Sequence, residues 1–134
     1  MENKKETIFY KCEVCGNIIV KLNDSGITPY CCSHVMTKMS PDDLDGDLEF
    51  HVPTWKCDDN KIIIKIGEKK HPMTEEHHIE WIFLKTNLGF HVKFLASTDD
   101  PEACFKLCHG EEAQFIFTHC NIHGLWKACI NKAD

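Results

Sequence analysis

Apolar and polar positions alternate over short runs through the second half of the chain, and turn-forming residues separate the runs. Ile62 to Ile66 is β-branched and bounded by Asp58-Asp59-Asn60 and Gly67. His78 to Leu84 alternates, which predicts a strand with Ile79, Trp81 and Phe83 on one face. Phe90 to Leu95 follows a turn at Asn87-Leu88-Gly89, Phe115 and Phe117 share a face of the run from Ala113 to Thr118, and Leu125 to Ile130 makes a last run. Several short strands at this spacing predict an antiparallel sandwich. Pro101 to Cys108 reads instead as a helical turn or two, capped by Asp99 or Asp100.

The pattern changes before residue 40. One short apolar run, Ile18-Ile19-Val20, and a turn at Asn23-Asp24-Ser25-Gly26 lie between two pairs of cysteines. That is too little apolar material for a core, so this segment needs a metal to hold its shape. Ser40 to Asp47 is acidic and turn-forming and reads as a linker. The expected division is therefore a metal-stapled module at residues 1–38 and a sandwich at residues 39–134.

Composition narrows the function classes. A hydrophobic content of 43% with 27% charged residues is that of a globular protein, and no apolar run approaches the length needed to cross a bilayer. Met1 to Lys5 is polar with no apolar stretch behind it, so the expectation is a cytoplasmic protein with no membrane partner. A net charge of −6 argues against nucleic acid as a partner. Nine cysteines and nine histidines are the unusual feature. In a reducing compartment they read as metal ligands rather than as a disulfide framework.

Two constellations follow. Cys12 and Cys15 form a Cys-x-x-Cys pair followed by Gly16, which lets the backbone fold over one ion. The second pair, Cys31-Cys32, is adjacent, and neighbours on an extended strand point to opposite faces, so both reach one metal only where the backbone bends. Four thiolates suit tetrahedral iron or zinc. A zinc ribbon, a redox-active Cys-x-x-Cys pair and a disulfide between the adjacent cysteines are the competing readings. The second constellation is spread over Glu49-Phe50-His51-Val52-Pro53, His71-Pro72-Met73 through His77-His78-Ile79-Glu80-Trp81, and Cys120-Asn121-Ile122-His123-Gly124. Spacing alone allows a Cys-x-x-His zinc half-site in the last.

Over nearly its whole length the chain resembles the desulfoferrodoxins, the two-iron superoxide reductases. The adjacent Cys31-Cys32 after Cys12-x-x-Cys15 resembles the desulforedoxin-like module. The runs His71-Pro72-Met73 to Glu80-Trp81 and Cys120-Asn121-Ile122-His123-Gly124-Leu125-Trp126-Lys127-Ala128 resemble the family's core signatures. The resemblance implies an all-β chain, with a small desulforedoxin-like β module before an immunoglobulin-like sandwich. It implies one iron on Cys12, Cys15, Cys31 and Cys32, where zinc is the alternative. It implies a second, catalytic iron on His51, His71, His77 and His123 with Cys120 axial, and Glu49 as a sixth ligand in the ferric state. An axial thiolate pushes electron density through the metal toward the position opposite. The implied activity is one-electron reduction of superoxide to hydrogen peroxide, in a homodimer re-reduced by rubredoxin or a similar carrier. A non-catalytic iron electron-transfer protein and a dismutase are the rivals.

One residue departs from the family pattern. Phe50 stands between Glu49 and His51 where the family commonly has lysine, so slower or more salt-sensitive association with the anion is expected. Lys69 and Lys70, just before His71, are the expected substitute positive field. His78 and His119 adjoin ligand positions and so point away as structural residues, and His34, His91 and His109 are expected on the surface. Cys57, Cys104, Cys108 and Cys129 are expected as buried thiols, with Cys104 and Cys108 sharing a helical face.

Overall fold

The computed structural model describes residues 6–41 and 48–130, apart from the side chains of Leu48 and Glu49. The chain divides into two compact units, Met1–Ser40 and Pro41–Asp134. In the first, β1 (Phe9–Lys11) pairs antiparallel with β2 (Ile18–Val20) on one side and β5 (Thr37–Lys38) on the other. A separate two-stranded ribbon joins β3 (Tyr30–Cys31) to β4 (His34–Val35). Ile8, Phe9, Cys12 and Met36 are its buried apolar side chains. The linker expected at Ser40–Asp47 lies mostly outside the described residues.

The second unit opens with a single helical turn, α1 (Leu48–His51), which the apolar pattern does not predict. Among the described residues seven strands follow: β6 (Pro53–Asp58), β7 (Lys61–Ile66), β8 (Ile79–Thr86), β9 (Phe90–Phe94), β10 (Glu102–Lys106), β11 (Ala113–Cys120) and β12 (Gly124–Cys129). They form two antiparallel sheets, ordered β10-β7-β6 and β12-β11-β8-β9. The core lies between them: Ile62, Ile64 and Ile66 come from one sheet, and Ile79, Ile82, Leu84 and Ile116 from the other. A sandwich of four and three antiparallel strands is the expected architecture.

Three expectations are corrected. Pro101–Cys108 is not helical, because Glu102 to Lys106 pairs along β7 from Lys65 to Lys61 as an edge strand. Its outward Glu102, Cys104 and Lys106 are exposed and its inward Ala103 and Phe105 are buried, a period of two that a short edge strand shows only weakly. Ile79 does not share a face with Trp81 and Phe83. The β8–β11 register slips between His119 and Cys120, and this bulge turns Ile79 into the core with Ile82 and Leu84. Cys57, Cys104 and Cys108 are exposed and Cys129 is half-buried, so they are not core thiols, and Cys104 on β10 shares no helical face with Cys108.

Two candidate metal centres

In the first unit the Sγ atoms of Cys12, Cys15, Cys31 and Cys32 all lie within 4.8 Å of one another. Cys15 and Cys31 are 3.7 Å apart and Cys31 and Cys32 4.0 Å. A disulfide needs about 2.05 Å, whereas four sulfurs bonded at about 2.3 Å to one tetrahedral ion stand about 3.8 Å apart. The backbone bend required by the adjacent pair is a two-residue hairpin. Cys31 pairs with His34, and Cys32 and Ser33 between them both take left-handed conformations, with φ of 53° and 62°. Two successive positive φ values define the hairpin turn that matches strand twist. On the other side, Gly16 at φ +85° closes the Cys12–Cys15 knuckle, where the Cys15 N–H donates to Cys12 Sγ at 3.4 Å.

The ionisation of these thiols fits a cation. The N–H groups of Cys15 and Val14 and the neighbouring thiols lower the Cys12 pKa to about 6. With that anion present, Cys15 and Cys12 push Cys32 up to about 12. A full set of thiolates therefore needs a positive ion to balance it.

In the sandwich unit, ligand atoms of His51, His71, His77 and Cys120 lie within 4.8 Å of one another. His123 completes the group, its Nδ1 3.0 Å from His51 Nε2 and 3.8 Å from Cys120 Sγ. The strand order explains the convergence. His51 enters β6 and His71 leaves β7 on one sheet, while His77 enters β8, Cys120 ends β11 and His123 lies in the turn to β12 on the other. All five strand ends are at the same mouth of the sandwich.

Neighbouring groups fix how some of the rings meet the group. His71 Nδ1–H donates to the Pro72 carbonyl at 2.7 Å, which leaves Nε2 as the unprotonated nitrogen. Nε2 of His71 and Nε2 of His77 are buried and have no hydrogen-bond partner among the described residues. His51 stacks on Trp126 with centroids 4.5 Å apart and planes 12° apart. Burial and the neighbouring imidazoles lower the His71 pKa to about 4, and burial likewise lowers that of His77. Neutral imidazoles are the ligand form. Burial pushes the Cys120 thiol up, opposed by N–H groups of His123 and Ile122 aimed at the sulfur. Two nitrogens at adjacent corners, about 2.1 Å from one ion, lie about 3.0 Å apart, which is the His51–His123 separation. Two orphaned imidazole nitrogens beside a buried thiol fit a transition metal.

Family comparison agrees with this geometry. The desulfoferrodoxin family model matches residues 43–129, and the desulfoferrodoxin N-terminal domain matches residues 4–39. The chain belongs to the desulfoferrodoxin family. It is similar to the desulfoferrodoxin of Syntrophotalea carbinolica, 39% identical over 89% of this chain and 93% of that one. Its fold is similar to the superoxide reductase from Treponema pallidum, with a TM-score of 0.79, 28% identity and coverage of 92% of this chain and 99% of that one. It also resembles the one-iron superoxide reductase of Giardia intestinalis, with a TM-score of 0.54 and 30% identity over 62% of this chain and 98% of that one.

As a desulfoferrodoxin, the chain has neighbours of the ligand positions that the sequence reading treats unevenly. His78 donates from Nδ1 to the Thr74 carbonyl at 2.9 Å, and His119 from Nδ1 to Glu80 at 2.7 Å, so both are engaged away from the group. His34 and His109 are exposed, but His91 is not a bare surface residue: its Nε2 donates to Glu111 at 2.9 Å. Glu111 also accepts from Thr86 Oγ1 and from the Cys108 N–H, which lowers its pKa to about 2. Lys70 does not offer an unpaired charge, since its Nζ lies 2.9 Å from Asp100 in an open cleft beside His71. The side chain of Glu49 lies outside the described residues. Trp126 and Gly67 are supporting residues that the sequence reading misses. A Cβ on Gly67 would fall 2.5 Å from the Phe50 carbonyl oxygen and closer still to that of Lys69. A glycine just beyond a strand that precedes a ligand loop is the only sequence signal for it.

Proposed function

We propose that this protein is a superoxide reductase that uses the iron held by His51, His71, His77, His123 and Cys120. The reaction takes superoxide, one electron and two protons to hydrogen peroxide, with no dioxygen released. The observation that carries this reading is the convergence of four imidazoles and one buried thiol on one point at the mouth of the sandwich. When bound, the iron supplies the single electron.

The protein's own contribution is orientation and charge. Depressed basicity keeps His71 and His77 neutral. The peptide N–H groups of Ile122 and His123 favour the thiolate form of Cys120. One thiolate and four neutral rings leave a local charge of about +1 beside a ferrous ion, which attracts an anion to a chain of net charge −6. Glu49, in the helical turn that ends at His51, is the proposed sixth ligand of the ferric state. Cys12, Cys15, Cys31 and Cys32 are the proposed ligands of the other iron, in a module at residues 1–38 preceding the reductase portion at 39–134. Rubredoxin or a similar carrier as electron donor, a homodimer and a cytoplasmic setting complete the proposal.

The test is an anaerobic assay with product analysis on iron-replete protein. A reductase consumes one electron per superoxide and forms no dioxygen. Dioxygen release would make it a dismutase, and untouched superoxide would leave an electron-transfer protein, the reading that Phe50 favours. Cys120→Ser should abolish both the activity and the visible thiolate-to-iron absorption of the oxidised centre. A retained band would assign the sulfur ligand elsewhere.

A further inference from the structure

Asn121 sits between two proposed ligands, Cys120 and His123, and its side chain is exposed and outside the ligand set. It nevertheless bonds on both sides of a third ligand. Its Oδ1 accepts from the His78 N–H at 2.9 Å, and its Nδ2 donates to the Glu76 carbonyl at 3.0 Å. Its backbone N–H donates to the His78 carbonyl at 3.1 Å. These partners flank His77.

The His77 loop is otherwise tied mainly to itself. Thr74 Oγ1 accepts from the His77 N–H at 3.0 Å, the Thr74 N–H donates to the His77 carbonyl at 2.9 Å, and His78 Nδ1 donates to the Thr74 carbonyl at 2.9 Å. The loop is thus a small closed body whose position against the next ligand turn needs an outside constraint. The strand ladder supplies one only at its last pair, Cys120 with Ile79, where the register has already slipped. Beyond that pair the described bonds across the gap are those of Asn121.

We propose that Asn121 is a positioning residue that sets the separation of His77 from Cys120 and His123, and through it the affinity and thiolate character of the sandwich metal centre. This rests on the reading that these residues hold iron. The amide is suited to the task because it offers an acceptor and a donor in one plane, one for each side of His77. Partners that orient metal ligands in this way typically contribute 10- to 100-fold in affinity.

The test uses the full chain with Asn121→Ala and Asn121→Asp, and takes the four-cysteine centre of the same molecule as internal reference. Ferrous ion is titrated into metal-depleted protein after the reference centre is filled. The thiolate-to-iron absorption maximum and reduction potential of the sandwich centre are then read. Asn121→Ala is expected to weaken iron at the sandwich about 10- to 100-fold and to shift the band, with the reference centre unchanged. Asn121→Asp keeps the acceptor for the His78 N–H but turns the donor into a carboxylate oxygen facing the Glu76 carbonyl, so it too should weaken the sandwich centre and leave the reference centre unchanged. Wild-type affinity and band position in Asn121→Ala overturn the proposal. Should that variant not fold, Asn121→Asp decides: a weakened centre supports the role and an unchanged one overturns it. A wild-type protein that takes up iron only at the four cysteines instead overturns the underlying reading.

Discussion

Cys12 and Cys120 receive the same local gift, N–H groups from the residues two and three positions on, yet their thiols move in opposite directions. At Cys12 the hydrogen bonds dominate and favour the anion. At Cys120 desolvation dominates, so the thiolate forms readily only with a cation beside it. The imidazoles obey the same rule with the opposite sign of charge. In metal-free protein His71 takes up its proton near pH 4, against about 6.5 in the unfolded chain. Between those values the unfolded chain holds more protons, so acidification from pH 6.5 to 4 should destabilise the metal-free fold, by up to about 3 kcal/mol from this residue. Urea unfolding of chelator-treated protein at pH 7 and pH 5 checks it, and equal stability at the two would mean that His71 titrates normally. Phe50 sets a second residue-scale expectation. Phe50→Lys adds a charge beside His51 and should raise the second-order rate with superoxide about 3- to 10-fold at low salt, a gain that fades as ionic strength screens it. Equal rates and equal salt slopes for the two proteins would remove Phe50 from the account.

At the scale of elements, the site depends on how strand ends are joined. Gly67 follows β7 with φ +88°, and its bare Cα faces the carbonyl oxygens of Phe50 and Lys69. Those two backbones lead directly to His51 and His71. Neither oxygen belongs to a movable side chain, so Gly67→Ala should push the two ligand segments apart. The expected result is at least a tenfold loss of iron affinity in the sandwich and about 2–4 kcal/mol of destabilisation, read by metal titration and urea unfolding. Unchanged affinity would mean that the two segments relax independently. None of this was legible from a lone glycine, because the close approach involves segments far apart in sequence. Strands with strong β-branched or alternating character, such as β7, β9 and β11, were legible. β10 was not, since an edge strand with two inward apolar residues resembles a capped helical turn. The need for a bend at the adjacent Cys31-Cys32 pair was legible, but its form, a hairpin turn through Cys32 and Ser33, was not, as neither residue favours positive φ. The ligand candidates were visible as residue types within runs of family character, whereas their supports act through contacts the sequence does not display: ring stacking for Trp126, close backbone approach for Gly67 and side-chain hydrogen bonds to another loop for Asn121.

For the whole molecule the two units differ in what keeps them folded. The sandwich buries a continuous core that includes Ile62, Ile64, Ile66, Ile79, Ile82, Leu84, Phe105 and Ile116, and among its described residues Cys120 alone is a proposed metal ligand. Among its described residues the first unit buries the apolar side chains of only Ile8, Phe9, Met36 and Cys12, and the last of these belongs to its four-cysteine cluster. A chain segment of that size has too little apolar burial to offset its conformational entropy, so its binding free energy for metal is in large part its folding free energy. Cys15→Ser, which removes an exposed thiolate rather than a buried one, should therefore unfold the first unit and leave the sandwich intact. Hydrogen exchange reads this directly. Amides of β1 and β2 should lose their protection, while those of β7, β8 and β11 keep theirs. Supplied with a chemical reductant, the same variant should still reduce superoxide, because His51, His71, His77, His123 and Cys120 all come from the second unit. Protected β1 amides in Cys15→Ser would show that the small apolar cluster suffices without the fourth thiolate. Lost superoxide reduction despite a protected sandwich and a full complement of iron there would show that the four-cysteine centre takes part in the reaction itself.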